Sequence, residues 1–234
     1  MTESYWTFLD RLDSFEKPEL LINDQGLEPQ SRLLDKVKDD NSFKDFFGDT
    51  VVFDLDIPTK EHISQFIDYL YHYVPECFCE RIRSDTLHLT LHDLSNSTNI
   101  SEIKSQMEYN ERELRRRISS CPSKSIQMKT NYVINMVDTS LVLALKPMSE
   151  QDYYTIMEYY ELIESVFHLE YRFTPHITLG YYNRNGFDKY SVNRLKDVVR
   201  FLNAKSFEFS LDSRNLMYQH FISMNDYKTI FHFI

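Results

Sequence analysis

Leu87-His88-Leu89-Thr90-Leu91 and Pro175-His176-Ile177-Thr178-Leu179 are two versions of one phrase, and their recurrence decides the fold. Each follows an apolar run that ends in proline. The first run is Val51-Val52-Phe53-Asp54-Leu55-Asp56-Ile57-Pro58, and the second is Leu141-Val142-Leu143-Ala144-Leu145-Lys146-Pro147. Pro58 lies 30 residues before His88 and Pro147 lies 29 before His176, with a helical pattern between them in both copies. A chain with 8 histidines supplies one His-x-Thr by chance easily. Two at matching offsets in matching contexts are an internal repeat, and they predict two similar lobes related by a pseudo-twofold axis.

Around the repeat the pattern is α+β. Residues 1–48 read as a partly helical N-terminal extension. Tyr5, Trp6, Phe8, Leu9, Leu12 and Phe15 have helical spacing, Asn23-Asp24-Gln25-Gly26 reads as a turn, and Phe43, Phe46 and Phe47 form an apolar knot. Strands are expected at 51–57, 87–91, 125–136, 140–146, 175–182, 206–211, 215–222 and 227–233. Helices are expected near 59–74, 102–118, 150–167 and 189–203.

Residues i and i+2 of a strand share a face. His88 and Thr90 therefore point one way while Leu87, Leu89 and Leu91 enter a core. His176 and Thr178 do the same, backed by Ile177 and Leu179. A twofold arrangement turns both pairs toward one cleft, giving two imidazoles and two hydroxyls around a common centre. Such a set suits phosphodiester chemistry without a metal. Neutral imidazole takes a proton from water or a ribose hydroxyl, imidazolium returns one to the departing oxygen, and the hydroxyls hold the non-bridging phosphate oxygens. The spacing does not say which histidine is base and which is acid. Either motif alone reads better as a half-buried strand turning a polar face to water; the pair carries the reading.

These two motifs resemble the paired signature of the 2H phosphoesterase superfamily, which includes RNA 2′,5′-ligase-like proteins and cyclic phosphodiesterases. The resemblance covers about residues 50–234. It implies a bilobal α+β fold, with two antiparallel sheets flanked by helices and interleaved lobes filling one domain over 49–234. His88, Thr90, His176 and Thr178 would line its cleft. It also implies a metal-independent enzyme, with no cofactor, that acts on 2′,3′-cyclic or 2′,5′-linked nucleotide phosphodiesters. A nucleotide- or RNA-end-binding module of the same fold without turnover is the second reading. A role outside nucleotides, on a phosphoester metabolite or a protein partner docked on the aromatic extension, is the third.

Composition narrows the partners. Lys plus Arg number 26 against 36 Asp plus Glu, a net charge of −10. Duplex nucleic acid is disfavoured, because its binding rests on many cationic contacts, whereas a nucleotide or short single strand needs only a few donors. The 4 glycines leave no material for a P-loop. No basic-then-apolar leader and no apolar run of transmembrane length is visible, so neither secretion nor a membrane is expected. Cys77, Cys79 and Cys121 form no zinc or disulfide pattern and point to free thiols in a reducing cytoplasm. Nothing in the pattern sets the oligomeric state.

Further site candidates are of second rank. His92 falls by alternation on the face of His88 and Thr90, with Asp93 opposite. One of Tyr181 and Tyr182 should face the cleft, where a ring stacks a base. Arg172 precedes the second motif, and Asn131 and Tyr132 lie on a neighbouring strand. Arg115-Arg116-Arg117 reads either as an RNA-tracking patch or, more commonly for this pattern, as a solvated helix face laced with ion pairs.

Overall fold

The computed structural model describes residues 3–14, 22–117 and 123–234. The chain begins with α1 (Tyr5–Asp13), β1 (Gly26–Leu27) and α2 (Ser31–Leu34), then enters the first copy of the repeat. That copy comprises β2 (Phe47–Asp54), α3 (Ile57–Tyr73), β3 (His88–Ser97) and α4 (Ile100–Arg117). β4 (Ser125–Met136) leads into the second copy: β5 (Ser140–Pro147), α5 (Glu150–Glu164), β6 (His176–Tyr181), β7 (Phe187–Asp188) and α6 (Lys189–Asn203). β8 (Glu208–Asp212), β9 (Leu216–Ser223) and β10 (Asp226–His232) follow.

Local chemistry sets the corresponding boundaries of the two copies. Asp56, two residues past the end of β2, caps α3: its Oδ1 accepts the Thr59 amide at 2.9 Å, and Pro58 sits in the first turn, where no N–H is needed. Ser149 caps α5 through the Asp152 amide at 3.1 Å, and Asp188 caps α6 through the Ser191 amide at 2.9 Å.

Two four-stranded antiparallel sheets result, ordered β10-β9-β2-β3 and β6-β5-β4-β8, with β1 and β7 pairing separately. β3 and β6 are edge strands, and they lie beside each other where the two sheets meet. The fold is therefore α+β, with antiparallel sheets flanked by helices. The repeat holds down to register. Asp54, Val52 and Val51 pair with His88, Thr90 and His92; Ala144, Val142 and Leu141 pair with His176, Thr178 and Gly180. In each ladder one residue is skipped at the same place, Leu91 in β3 and Leu179 in β6, so both motif strands carry a bulge directly after the threonine.

Leu89, Leu91, Ile177 and Leu179 enter one core with Val51, Phe53, Leu141 and Leu143. Full burial of each such side chain stabilises the fold by about 1.5–3 kcal/mol. The N-terminal segment belongs to that core as well: Phe8 packs on Tyr153 of α5, and Leu33, Val37, Phe43 and Phe46 are buried with it. Its backbone is tied to both lobes. The Phe46 amide donates to the Ile222 carbonyl at 3.0 Å, the Glu80 amide to the Asn41 carbonyl at 2.7 Å, and Arg184 Nη1 to the Val37 carbonyl at 2.7 Å.

α4 is pinned to its sheet by a buried carboxylate. Asp49 on β2 is 1% exposed. Its Oδ1 accepts from the Ser95 amide at 2.8 Å and the Ser95 hydroxyl at 2.6 Å, while Oδ2 accepts from Asn110 Nδ2 at 3.0 Å and the Tyr218 hydroxyl at 2.8 Å. Burial, then Asp49 beside it, pushes the Tyr218 phenol up, so it remains a donor.

β3 extends to Ser97, beyond the alternation that ends at Leu91. Polar Asp93, Ser95 and Asn96 hide the strand in the sequence, but β2 supplies partners up to Phe47. α5 ends at Glu164 instead of running to 167. Phe15, Ile118 and Cys121 lie outside the described residues. No described helix is long and apolar enough to cross a membrane.

Candidate active site

His88 and His176 are each held by a carbonyl two residues earlier. His88 Nδ1 lies 2.7 Å from the Thr86 carbonyl, and His176 Nδ1 lies 2.7 Å from that of Thr174. A carbonyl only accepts, so Nδ1 carries the proton in both rings and each neutral imidazole keeps its Nε2 lone pair for chemistry. The same tautomer arises twice from the same local geometry.

Burial pushes both imidazoles below their ordinary value. His88 falls to about 4, with burial outweighing the Thr86 carbonyl, Asp54 and Asp93, and with His176 adding to the fall. His176 falls as well, chiefly by burial and secondarily beside Lys36, against the pull of the Thr174 carbonyl and Asp93. His176 acts on His88, Asp93 acts on both rings, and the two strands that carry them lie side by side, as the twofold reading requires. Thr90 and Thr178 are half-buried on the same faces as their histidines.

The bulges correct two of the sequence expectations. An extra residue after Thr90 reverses the alternation, so His92 turns inward and Asp93 turns out. His92 is 1% exposed. Its Nε2 lies 2.7 Å from Glu164 Oε2 at the end of α5, its Nδ1 meets the Asp93 carbonyl, and its ring lies 5.1 Å from Tyr160. It clamps one lobe to the other and does not reach the cleft. Asp93 occupies the cleft face instead, where it accepts from the Tyr171 hydroxyl at 3.0 Å and its charge acts on the imidazoles of both motifs. The bulge after Thr178 acts alike: Gly180 takes the inward position equivalent to His92, and Tyr181 the outward position equivalent to Asp93. Burial holds the Tyr181 phenol well above its ordinary value, against the opposing effect of the Thr178 hydroxyl beside it. Tyr182 is fully buried against Phe78 and Phe187, so it is a core ring.

Arg172 is exposed and turns to Glu3, with Nη1 3.4 Å from Glu3 Oε2. Nothing draws it toward the motifs. Tyr132 packs with Ile134, Val142 and Ala144. Val142 and Ala144 lie opposite Thr178 and His176, so this apolar group forms the cleft-side face of the second sheet. Asn131 points the other way and donates to the Leu12 carbonyl at 3.1 Å. Arg115, Arg116 and Arg117 pair with Glu111 and Glu113 at 2.7–3.1 Å along α4. They form the solvated, ion-paired face. Cys77 and Cys79 are free and buried, and burial pushes both thiols up to about 12, which keeps them protonated and unreactive.

Beside His88 a cavity of about 280 Å³ opens, lined by Asp54, Arg83, Gln219, Tyr227 and Thr229. The Tyr227 ring meets the His88 ring edge-on at 5.0 Å. Tyr227 and Asp54 escape sequence reasoning because they come to His88 from other strands, one of them far along the chain. Among the described residues, no group of three or more His, Cys, Asp or Glu side chains is placed to hold a metal ion.

No protein-family model matches the chain, and no curated protein sequence matches it. Solved structures do. A conserved protein of unknown function from Agrobacterium tumefaciens superposes with a TM-score of 0.69 at 16% identity, over 88% of this chain and 94% of that one. The two share a fold. Escherichia coli LigT gives a TM-score of 0.47 at 14% identity, over 80% of this chain and 96% of its own. A structure described as a phosphoesterase gives 0.46 at 14%, over 78% and 92%.

Proposed function

We propose that the chain is a metal-independent phosphodiesterase of the 2H type, acting on a 2′,3′-cyclic or 2′,5′-linked nucleotide phosphodiester. One observation carries the reading. Two His-x-Thr strands on adjoining sheet edges present the same tautomer, anchored by the same carbonyl geometry and followed by the same bulge. A structural histidine needs no such duplicate.

The chemistry follows from the two Nε2 atoms. One neutral imidazole takes a proton from water as the water oxygen bonds to phosphorus. The bond from phosphorus to a ribose oxygen breaks, and the second imidazole, protonated on Nε2, gives its proton to that oxygen. The arriving anionic phosphate favours the imidazolium form that the free protein disfavours. Thr90 and Thr178 donate to the non-bridging oxygens, where charge gathers. The cavity beside His88 has room for the nucleoside part, with Tyr227 as a stacking ring. A net charge of −10 fits a small or single-stranded substrate in the cytoplasm.

The test is turnover in excess EDTA on two panels, 2′,3′-cyclic mononucleotides and 2′,5′- or 3′,5′-linked dinucleotides, with products separated by chromatography. Hydrolysis of a member of one panel at undiminished rate in chelator is the expected result. Loss of turnover in EDTA with recovery on adding a divalent metal would contradict it. Folded protein that binds a nucleotide and never turns it over would establish the binding-module reading.

A further inference from the structure

The N-terminal segment brings a cation to the cleft, and no carboxylate among the described residues neutralises it by contact. Leu33 and Val37, four residues apart, are fully buried and fix the rotation of the chain after α2. The Lys44 amide then donates to the Lys36 carbonyl at 2.9 Å, and Arg184 Nη1 holds the Leu34 and Val37 carbonyls at 3.1 and 2.7 Å. Lys36 is thereby carried inward. Its Nζ lies 5.2 Å from the centre of the Tyr181 ring and 5.3 Å from that of Phe46. Tyr181 is the cleft residue that closes the second motif.

The charges around Lys36 are few. Asp35 and Arg32 lie on its own segment, and Asp93 on β3 acts on it by charge. Among the described residues, no carboxylate comes within 4.0 Å of its ammonium, whereas Lys60, Lys146, Arg184 and Lys196 each have a carboxylate at that range. Burial drags the ammonium below its ordinary value, against the opposing pull of Asp93. Lys36 is half-buried, and an ammonium partly withdrawn from water against ring faces is held at a cost, since cation–π contacts return only part of lost hydration. An arriving anion supplies the hydrogen-bonded, charged partner that the ammonium lacks in the free protein.

We propose that Lys36 is the phosphate-binding cation of this site: its ammonium holds a non-bridging oxygen of the substrate while the two His-x-Thr motifs flank the phosphorus. The inference deepens the phosphodiesterase reading and rests on it for the identity of the substrate, though not for the binding of phosphate. It makes the N-terminal segment a wall of the active site, supplying a charge that neither motif contains.

The test measures inorganic phosphate binding by titration calorimetry on the full chain, with melting temperature recorded for wild type, Lys36→Met and Lys36→Arg. Methionine preserves the packing between the rings and removes the charge. The expected result is a 10- to 100-fold weakening of phosphate binding in Lys36→Met, on the order of one charge-assisted hydrogen bond. Lys36→Arg should recover most of it, and Lys36→Met should melt at or above the wild-type temperature because an uncompensated charge is gone. Equal phosphate affinity in Lys36→Met and wild type would overturn the inference, and so would loss of binding accompanied by a large fall in melting temperature. Phosphate binding that depends on Lys36 in a protein that turns over neither panel would leave this inference standing and remove the enzymatic one.

Discussion

His176→Ala and His88→Ala each lower kcat/KM on the preferred substrate by about 10²–10⁴-fold, the usual contribution of a positioned general acid or base. Neither substitution should unfold the chain. Each ring is half-buried and gives up one hydrogen bond to a carbonyl, worth roughly 1 kcal/mol, while the Leu89 and Ile177 packing behind it is untouched. Steady-state kinetics with circular dichroism as the folding control checks the expectation. Turnover within threefold of wild type in either variant would remove that histidine from the chemistry.

Asp49→Ala has the largest expected effect on stability. Four donors from β3, α4 and β9 converge on this carboxylate, all of them buried. Truncation leaves them facing an empty space, and each orphaned buried donor costs about 1–3 kcal/mol. Even with partial regrouping through the Asn110–Ser95 contact at 3.2 Å, a loss of at least about 3 kcal/mol is expected. The denaturant midpoint should fall accordingly with the slope unchanged. Asp49→Asn should recover only part, because its amide nitrogen faces donors. A shift below about 1 kcal/mol would show that the network is not what ties α4 to the sheet.

The repeat was legible because it is written twice. Pro58 and Pro147, the two apolar runs and the two His-x-Thr motifs share an offset, and the helices between them begin at caps and prolines visible in the sequence. The core faces of both motif strands followed from alternation as far as Leu91 and Leu179. Beyond those residues alternation misleads, because a bulge adds one residue without any local chemical mark. His92 and Asp93 therefore exchanged places relative to expectation, and Tyr181, not Tyr182, took the cleft. Comparing the two copies holds a weak signal for this: Gly180 stands where His92 stands, which suits an inward position with little room. Phe78 lies 3.0 Å from where a Cβ at Gly180 would be. Lys36, Tyr227 and Asp54 were out of reach for a different reason. Their relation to the motifs is set by tertiary packing of the N-terminal segment and of β2 and β10, and no spacing along the chain encodes it.

Two equivalent imidazoles that divide the acid and base roles leave their mark on the pH dependence of kcat/KM. Burial lowers both below 6.5, His88 to about 4. Below the lower value the base is protonated and lost; above the higher value the acid has given up its proton. The wild-type profile should be a bell with its maximum on the acid side of pH 6.5. The residual activity of His88→Ala should lack one limb and that of His176→Ala the opposite limb, which assigns base and acid. A full bell with unchanged limbs in both variants, or a wild-type maximum well on the alkaline side of 6.5, would contradict the claim.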